Sequence, residues 1–558
     1  MKKIQVLLAV LVFLSACTPL KNQPAEPTPS ATNMGTATAT PTATITETET
    51  PLRTPTNTPT PTLPPFIHSG DVIPYMKGIN FQSWDSTTND LLKPISDQSL
   101  IELRATGADW IGLSVALGRK DSNDLTISDY PWTTSDAEII HVVMLAHQLG
   151  LKVILRPGVQ NADYSGFNSA NFTKSQWDLY FQNYQAMLLK YARLAQETHV
   201  EVFSIGFEMY HEALQESYWR RMVPEIRKVY EGLLTYGANH GDESSVRWWD
   251  LVDLIGVDAY YPLSYLANPT QKDLSQAWEP IVASLEALSK KYDRPIIFSE
   301  IGYASQKGVA AQPWDDHQGV TDVDTQALLY QAAFDALRGK SWFKGFFWYK
   351  WEASPYQGGF CNRNFTPRAK PAENILRVEY GTAPLTLNPN PALPVLDESK
   401  LTNFWIFRDN LEPNVDFQYA SSKWEITTDP VYSGSRALKV PMVQDAAFSL
   451  NFYNGVNTKI YQWLEFYLYT DHPELLYQIM ITAQGDNNER FYDVFLNACT
   501  FFDGGMVQPN HWTLVRIPLA ALDADNVVLY HSYWYFAREN PKPVTLYLDE
   551  IRLVGLKP

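Results

Sequence analysis

Three cysteines in 558 residues are too few for a disulfide framework, so stability must come from buried apolar cores. Basic residues are scarce beside acidic ones, 44 Lys and Arg against 61 Asp and Glu, which leaves a formal net charge of −17. A surface of that sign lacks the basic patch that displaces counterions from phosphates, which excludes nucleic acid and other polyanions as partners. Metal-ligand clusters, phosphate loops and dinucleotide fingerprints are also missing from the region read below as catalytic, so no cofactor is expected.

What is present begins with an export signal. Lys2 and Lys3 precede an apolar run at residues 4–14, too short to span a bilayer but suited to a signal-peptide core. The run ends in Leu14-Ser15-Ala16-Cys17, which resembles the bacterial lipoprotein box. By that resemblance residues 1–17 are a signal with Cys17 as the lipidation site, and the mature chain is held by its lipid on the extracellular face of a bacterial membrane. Residues 18–65 are nearly all Pro, Thr, Ala, Ser and Glu and cannot bury a core. Repeated Thr-Pro steps favour an extended conformation, so 18–70 reads as a semi-rigid stalk.

Apolar β-rich runs then alternate with helical stretches, the pattern of parallel βαβ units. Strands are expected at 76–84, 110–117, 151–159, 200–207, 233–238, 254–261, 295–299 and 343–351, with helices between them and a closing helix at 370–380. Eight such units over about three hundred residues predict a (β/α)8 TIM barrel at 71–381, with its chemistry at the C-terminal strand ends. Aromatics make up 13% of the chain, a surplus that serves as core or as a binding platform of the kind saccharide binders use.

Strand four runs Phe203-Ser204-Ile205-Gly206-Phe207-Glu208 and strand seven Ile297-Phe298-Ser299-Glu300, so each delivers one Glu at its C-terminal end. A carboxylate at such a place either caps the next helix or works. A facing pair suits glycosidic cleavage, where one carboxyl protonates the leaving oxygen and a second attacks from roughly 5 Å away in retaining enzymes. Five stretches carry a specific resemblance: Lys77-Gly78-Ile79-Asn80-Phe81, Gly107-Ala108-Asp109-Trp110, Leu151-Lys152-Val153-Ile154-Leu155-Arg156-Pro157, Ile255-Gly256-Val257-Asp258-Ala259-Tyr260 and Ser299-Glu300-Ile301-Gly302-Tyr303. Residues 77–380 resemble glycoside hydrolase family 113, a β-mannanase family of clan A. The resemblance implies a retaining glycoside hydrolase of β-1,4-mannan or glucomannan, with Glu208 as acid/base and Glu300 as nucleophile. It also implies that Tyr260 donates its hydroxyl to Glu300; the other reading of Tyr260 is rim packing.

Trp348 and Trp351, on the last strand, are candidate sugar platforms or core residues, and Asn80, Trp84 and Arg156 are candidate subsite contacts or barrel-interior structure. Two positions depart from the family pattern: Phe207 stands where most of the clan has Asn, and Gly158 where a His is expected. An enzyme of the same clan acting on β-glucan, or a non-catalytic glycan-binding lipoprotein, are the competing readings.

After a Pro-rich linker at 382–400, short alternating strands at 401–558 predict a β-sandwich. Ser433-Gly434-Ser435-Arg436-Ala437-Leu438-Lys439-Val440 and Leu546-Tyr547-Leu548-Asp549-Glu550-Ile551 resemble jelly-roll carbohydrate-binding modules. A structural spacer is the alternative. Trp405, Trp424, Trp463, Trp512 and Trp534 mix core with any ligand contact. The chain is expected to be a monomer whose partner is a polysaccharide or oligosaccharide, with Cys361 and Cys499 unjoined because the linker separates their domains. Mass analysis should find an acylated Cys17 as the mature N-terminus; cleavage elsewhere, or an unacylated soluble product, would count against the anchor.

Overall fold

The structure, a computed structural model, describes residues 63–557 apart from 84–89, 164, 316–319, 421–423, 445, 486–489, 497–498 and 537–540. Cys17, the stalk as far as residue 62, and Trp84 lie outside the described residues.

Eight parallel strands close in chain order into a barrel. They are β1 (Met76–Gln82), β2 (Trp110–Arg119), β3 (Lys152–Asn161), β4 (Val202–Phe207), β5 (Leu233–Asn239), β6 (Leu254–Asp258), β7 (Ile296–Ile301) and β8 (Phe343–Glu352). Each is a nearly continuous apolar run buried on both faces, as helices outside and side chains inside require. The helical layer comprises α1 (Pro94–Arg104), α2 (Asp136–Gln148), α3 (Lys174–Glu197), α4 (Tyr210–Ala213), α5 (Glu216–Arg227), α6 (Gln271–Tyr292), α7 (Val323–Leu337) and α8 (Pro371–Tyr380). Local chemistry sets the helix ends. α2 starts at a capping box of Ser135 and Glu138. α8 opens on Pro371 and stops at Gly381, whose φ of +86° only glycine adopts cheaply.

One side chain from every strand meets inside the barrel: Met76, Trp110, Ile154, Val202, Leu233, Leu254, Ile297 and Phe347 form a dry layer. Ile67 and Ile73 pack against it, and Phe66 stacks on His199 at 4.7 Å. Residues expected to end the stalk therefore belong to the barrel, because their apolar side chains have a surface to bury. Full burial of eight such groups contributes on the order of 1.5–3 kcal/mol each. Polar side chains further along the strands must find their partners above a layer that offers none.

The sandwich has a seven-stranded and a five-stranded antiparallel sheet. The first contains β9 (Leu401–Arg408), β10 (Asn410–Leu411), β12 (Glu425–Thr427), β13 (Ala437–Met442), β15 (Trp463–Tyr469), β18 (Thr513–Pro518) and β20 (Val544–Leu556). The second runs β11 (Val415–Ala420), β14 (Ala447–Asn457), β19 (Val528–Phe536), β16 (Ile479–Gln484), β17 (Arg490–Phe495). Phe417, Phe448, Leu450, Phe466, Leu468, Ile481, Trp534, Leu546 and Leu548 fill the space between the sheets.

The two domains are joined more closely than the linker implied. Cys361, after β8, and Cys499, in the sandwich, form a disulfide with Cα atoms 5.5 Å apart, which overturns the expectation that they stay unjoined. The linker is tied down: Gly504 donates to the Pro391 carbonyl at 3.0 Å, and Arg516 to that of Pro394 at 2.7 Å. Lys93 of the barrel meets Asp523 of the sandwich at 2.7 Å, and the Arg363 guanidinium lies 4.1 Å from the Tyr477 ring centroid. A non-reducing peptide map should show Cys361 linked to Cys499. Replacing both by Ser should lower the melting temperature, with a loss of stability of up to about 5 kcal/mol from the loop-closure entropy of a 138-residue separation; an unlinked map would refute the staple.

Candidate active site

β4 does not simply run on into Glu208. Its pairing with β5 slips between Ser204 and Phe207, and Glu208 then takes φ +53°, a left-handed conformation rare for a residue with a Cβ. Its amide donates to the Gly237 carbonyl at 2.8 Å, which holds the turn. Such backbone costs on the order of 1–3 kcal/mol and is found where a side chain must be aimed.

Glu300 lies within β7, opposite Asp258 at the end of β6. Both of its oxygens are occupied: Arg156, from β3, donates to Oε1 at 2.6 Å and the Tyr260 hydroxyl to Oε2 at 2.7 Å. The second nitrogen of Arg156 forks onto Asp258 at 3.0 and 2.9 Å, and Ser299 Oγ donates to Asp258 at 2.7 Å. Asn80 donates to the carbonyls of Ser299 and Phe347 at 3.1 and 3.3 Å, tying β1 to β7 and β8.

This cluster holds three acids around one guanidinium, so they cannot all ionise cheaply. Burial pushes the Glu208 carboxyl well above its ordinary value, and Asp258 and Glu300 push it further. Burial also takes Asp258 up to about 7, against the pull of Arg156 and with Glu300 adding to the push. Burial disfavours the charge of Arg156, but Asp258 and Glu300 hold its pKa above the ordinary value. Tyr260 is kept a phenol, first by burial and then by Glu300, and so remains a donor.

Of the residues expected at the site, Glu300, Tyr260, Arg156 and Asn80 share this hydrogen-bond network, and Glu208 is coupled to it electrostatically. Arg156 and Asn80 are fully buried, which corrects their reading as sugar contacts: they organise carboxylates and strands. Trp348 and Trp351 are not platforms. Trp348 is 0% exposed and stacks on Tyr330 of α7 at 3.8 Å. Trp351 donates to the Ser99 carbonyl at 3.1 Å and lies under Arg368, also facing the helices. The half-buried Tyr349 borders the network instead, with its ring 6.4 Å from that of Tyr260 and 5.2 Å from Phe365. Asp258 and Ser299 were missed as functional residues, although a lone acid ending the apolar run Leu254–Asp258 was a signal.

The two departures from the family pattern explain each other. The Phe207 ring covers Gly158 so closely that a Cβ there would lie 2.5 Å from it. The same ring faces the Arg156 guanidinium at 4.8 Å and Phe167 at 5.1 Å. An aromatic at 207 and a glycine at 158 are one packing solution.

A closed eight-stranded barrel with two strand-end glutamates, one with its pKa raised by burial and one ion-paired, has the architecture of a glycoside hydrolase, and the carbohydrate substrate follows from that class. The chain belongs to Glycoside Hydrolase Family 113, whose sequence profile matches residues 81–366. Among solved structures it is similar to the GH113 β-mannanase AaManA from Alicyclobacillus acidocaldarius in complex with ManMIm, at 30% identity and a TM-score of 0.51, over 55% of this chain and 97% of that one. It is also similar to a GH113 β-1,4-mannanase solved as a complex, at 27% identity and 0.51, over 55% and 99%. No curated protein matches the chain significantly.

Glu208→Gln imitates the protonated carboxyl and so tests the cluster. Because the folded-state pKa of Glu208 is raised above 4.5, its proton stabilises the native state at acid pH, and that stability is lost as the pH climbs from 4.5 through the raised value. The variant should melt with the wild type near pH 4 and above it near pH 8. Identical melting at both would mean that Glu208 ionises in the folded protein without penalty.

Proposed function

We propose that this chain is a retaining β-1,4-mannanase or glucomannanase, with Glu300 as nucleophile and Glu208 as acid/base. The observation that carries the reading is the opposed environments of the two carboxyls, Glu208 with its pKa raised by burial and Glu300 held between the Arg156 guanidinium and the Tyr260 hydroxyl. The Glu300 carboxylate attacks the anomeric carbon while Glu208 passes its proton to the leaving glycosidic oxygen. Glu208, now ionised, takes a proton from water. The hydroxide equivalent breaks the glycosyl ester from the opposite direction, releasing a sugar of retained configuration and free Glu300. Tyr260 and Arg156 receive the returning charge without moving, which is how preorganised donors lower a barrier.

Export and lipid anchoring through Cys17 are part of the proposal. The Cys361–Cys499 disulfide supports them, since such bonds persist in oxidising compartments. Phe207 is 3% exposed and packed on Arg156, so that side chain makes no hydrogen bond to a sugar 2-hydroxyl and does not select mannose over glucose, which keeps β-glucan as a second reading of the substrate. A hydrolysis screen over β-mannan, glucomannan, mixed-linkage glucan and xylan separates the two.

For mechanism, Glu300→Ala should abolish hydrolysis. Glu208→Ala should lose about 10²–10⁴-fold on natural linkages but far less on substrates with activated leaving groups. Azide should release a β-glycosyl azide from the Glu208 variant and an α-azide from the Glu300 variant, as it replaces a base on one face and a nucleophile on the other. Inverted wild-type product, or unchanged turnover in either variant, would refute the assignment.

A further inference from the structure

The two glutamates are held in different ways. Glu300 is gripped by side chains, but no side chain among the described residues hydrogen-bonds the Glu208 carboxyl. Its aim therefore depends on the backbone either side of the left-handed turn. Before the turn, the Tyr184 hydroxyl donates to the Ile205 carbonyl at 2.9 Å. After it, the Tyr236 hydroxyl accepts from the Met209 amide at 3.2 Å and donates to the Met209 carbonyl at 3.1 Å. α4 follows at once. A helix of four residues cannot hold itself, because its first turn fixes several dihedrals for a single hydrogen bond.

The near end of α4 is held by the connection from β3 to α3, which has no helix or strand among its described residues. Asn168 Oδ1 accepts from the Tyr210 and His211 amides at 2.7 and 3.4 Å, and the Ser169 carbonyl bonds His211 Nδ1 at 2.5 Å. Glu212 Oε1 accepts from the Ser169 amide at 3.0 Å and from the Ser169 hydroxyl. Phe167 of the same connection meets Phe207 edge-on at 5.1 Å, so the connection touches the chain on both sides of Glu208. The far end of α4 is secured separately, by Trp219 and Trp248 donating to the Glu212 and Ala213 carbonyls at 2.7 and 2.9 Å.

The connection is fastened in turn by Arg119, the last residue of β2. Its guanidinium donates to Asn161 Oδ1, to Ser169 Oγ at 2.5 Å and to the Phe167 carbonyl at 2.8 Å. Arg119 and Glu212 lie 3.6 Å apart and both are 0% exposed. Burying either charge alone would be costly, so each ion keeps the other in place, and Ser169 between them ties both to the connection.

We propose that the Arg119–Glu212 ion pair is a positioning device for the acid/base: it locks the β3–α3 connection onto α4 and so sets where Glu208 meets the leaving oxygen. The inference rests on the reading of Glu208 as acid/base. Neither Arg119 nor Glu212 touches the substrate in this role; both act through the backbone that follows Glu208.

Two variants of the full chain test it. Glu212→Gln keeps the shape and removes the charge, while Asn168→Ala removes the acceptor of the two α4 amides and leaves the ion pair intact. Each is measured for kcat/KM on mannohexaose, whose leaving oxygen needs a proton, and on 2,4-dinitrophenyl β-mannobioside, whose leaving group does not. Cellohexaose and 2,4-dinitrophenyl β-cellobioside form the pair if the barrel cleaves glucan. A displaced acid should lower kcat/KM on the oligosaccharide about ten-fold or more, a part of the roughly 10²–10⁴-fold a general acid contributes, and leave the dinitrophenyl substrate within about two-fold. A merely structural role would lower both alike. An unchanged ratio between the two substrates in a folded Glu212→Gln overturns the proposal; where that variant shows no cooperative melting, the ratio in Asn168→Ala decides. Glu208→Ala, run beside them, separates the two readings. If it shows no split between substrates, the acid/base assignment falls and this inference with it; if it alone shows the split, only the positioning role falls.

Discussion

The catalytic end of the barrel depends on the fork of Arg156. Its two terminal nitrogens bond Glu300 and Asp258 from different strands, and the arginine itself comes from a third. The layer of eight apolar side chains beneath offers no polar partner to a carboxylate that loses this one. Breaking one side of a buried ion pair typically costs about 3–5 kcal/mol because the remaining charge is stranded. One guanidinium therefore fixes where Glu300 sits, while burial, with Asp258 and Glu300 adding to it, raises the Glu208 carboxyl against the pull of that same guanidinium.

The arginine is itself supported. Its guanidinium plane faces the Phe207 ring, and that ring is free to lie there because residue 158 has no side chain. A polar residue at 207 would remove the aromatic backing, and any Cβ at 158 would displace the ring. A difference that looks in sequence like the loss of a sugar contact is, in the folded protein, part of how the carboxylate anchor is held.

Much of the barrel was legible because each strand is a continuous apolar run, and burial on both faces leaves no other reading of such runs between amphipathic helices. The pairing of Tyr260 with Glu300 agreed with what the resemblance implied. What could not be read was set by register. β8 slips against β1 so that Ile79 faces Trp348 and Phe81 faces Trp351, two residues against three. Simple alternation would part the two tryptophans; the bulge turns both toward the helices and leaves Tyr349 beside Tyr260. A bulge carries no compositional mark in this strand, so the platform expectation failed there. The bulge between Ser204 and Phe207 likewise hid the left-handed turn that aims Glu208.

The disulfide failed as an expectation for a related reason. Pro-rich composition at 382–400 marks a segment without its own core, but it does not determine whether neighbouring surfaces receive it. Here the Pro391 and Pro394 carbonyls accept from the sandwich, while the chain following β8 reaches it through Arg363 and Cys361. That same segment carries Phe365, whose ring borders Tyr349 and Tyr260, and Asn362, which accepts from the buried Lys370 at 3.0 Å. The sandwich is thus anchored to the segment that walls the carboxylate cluster.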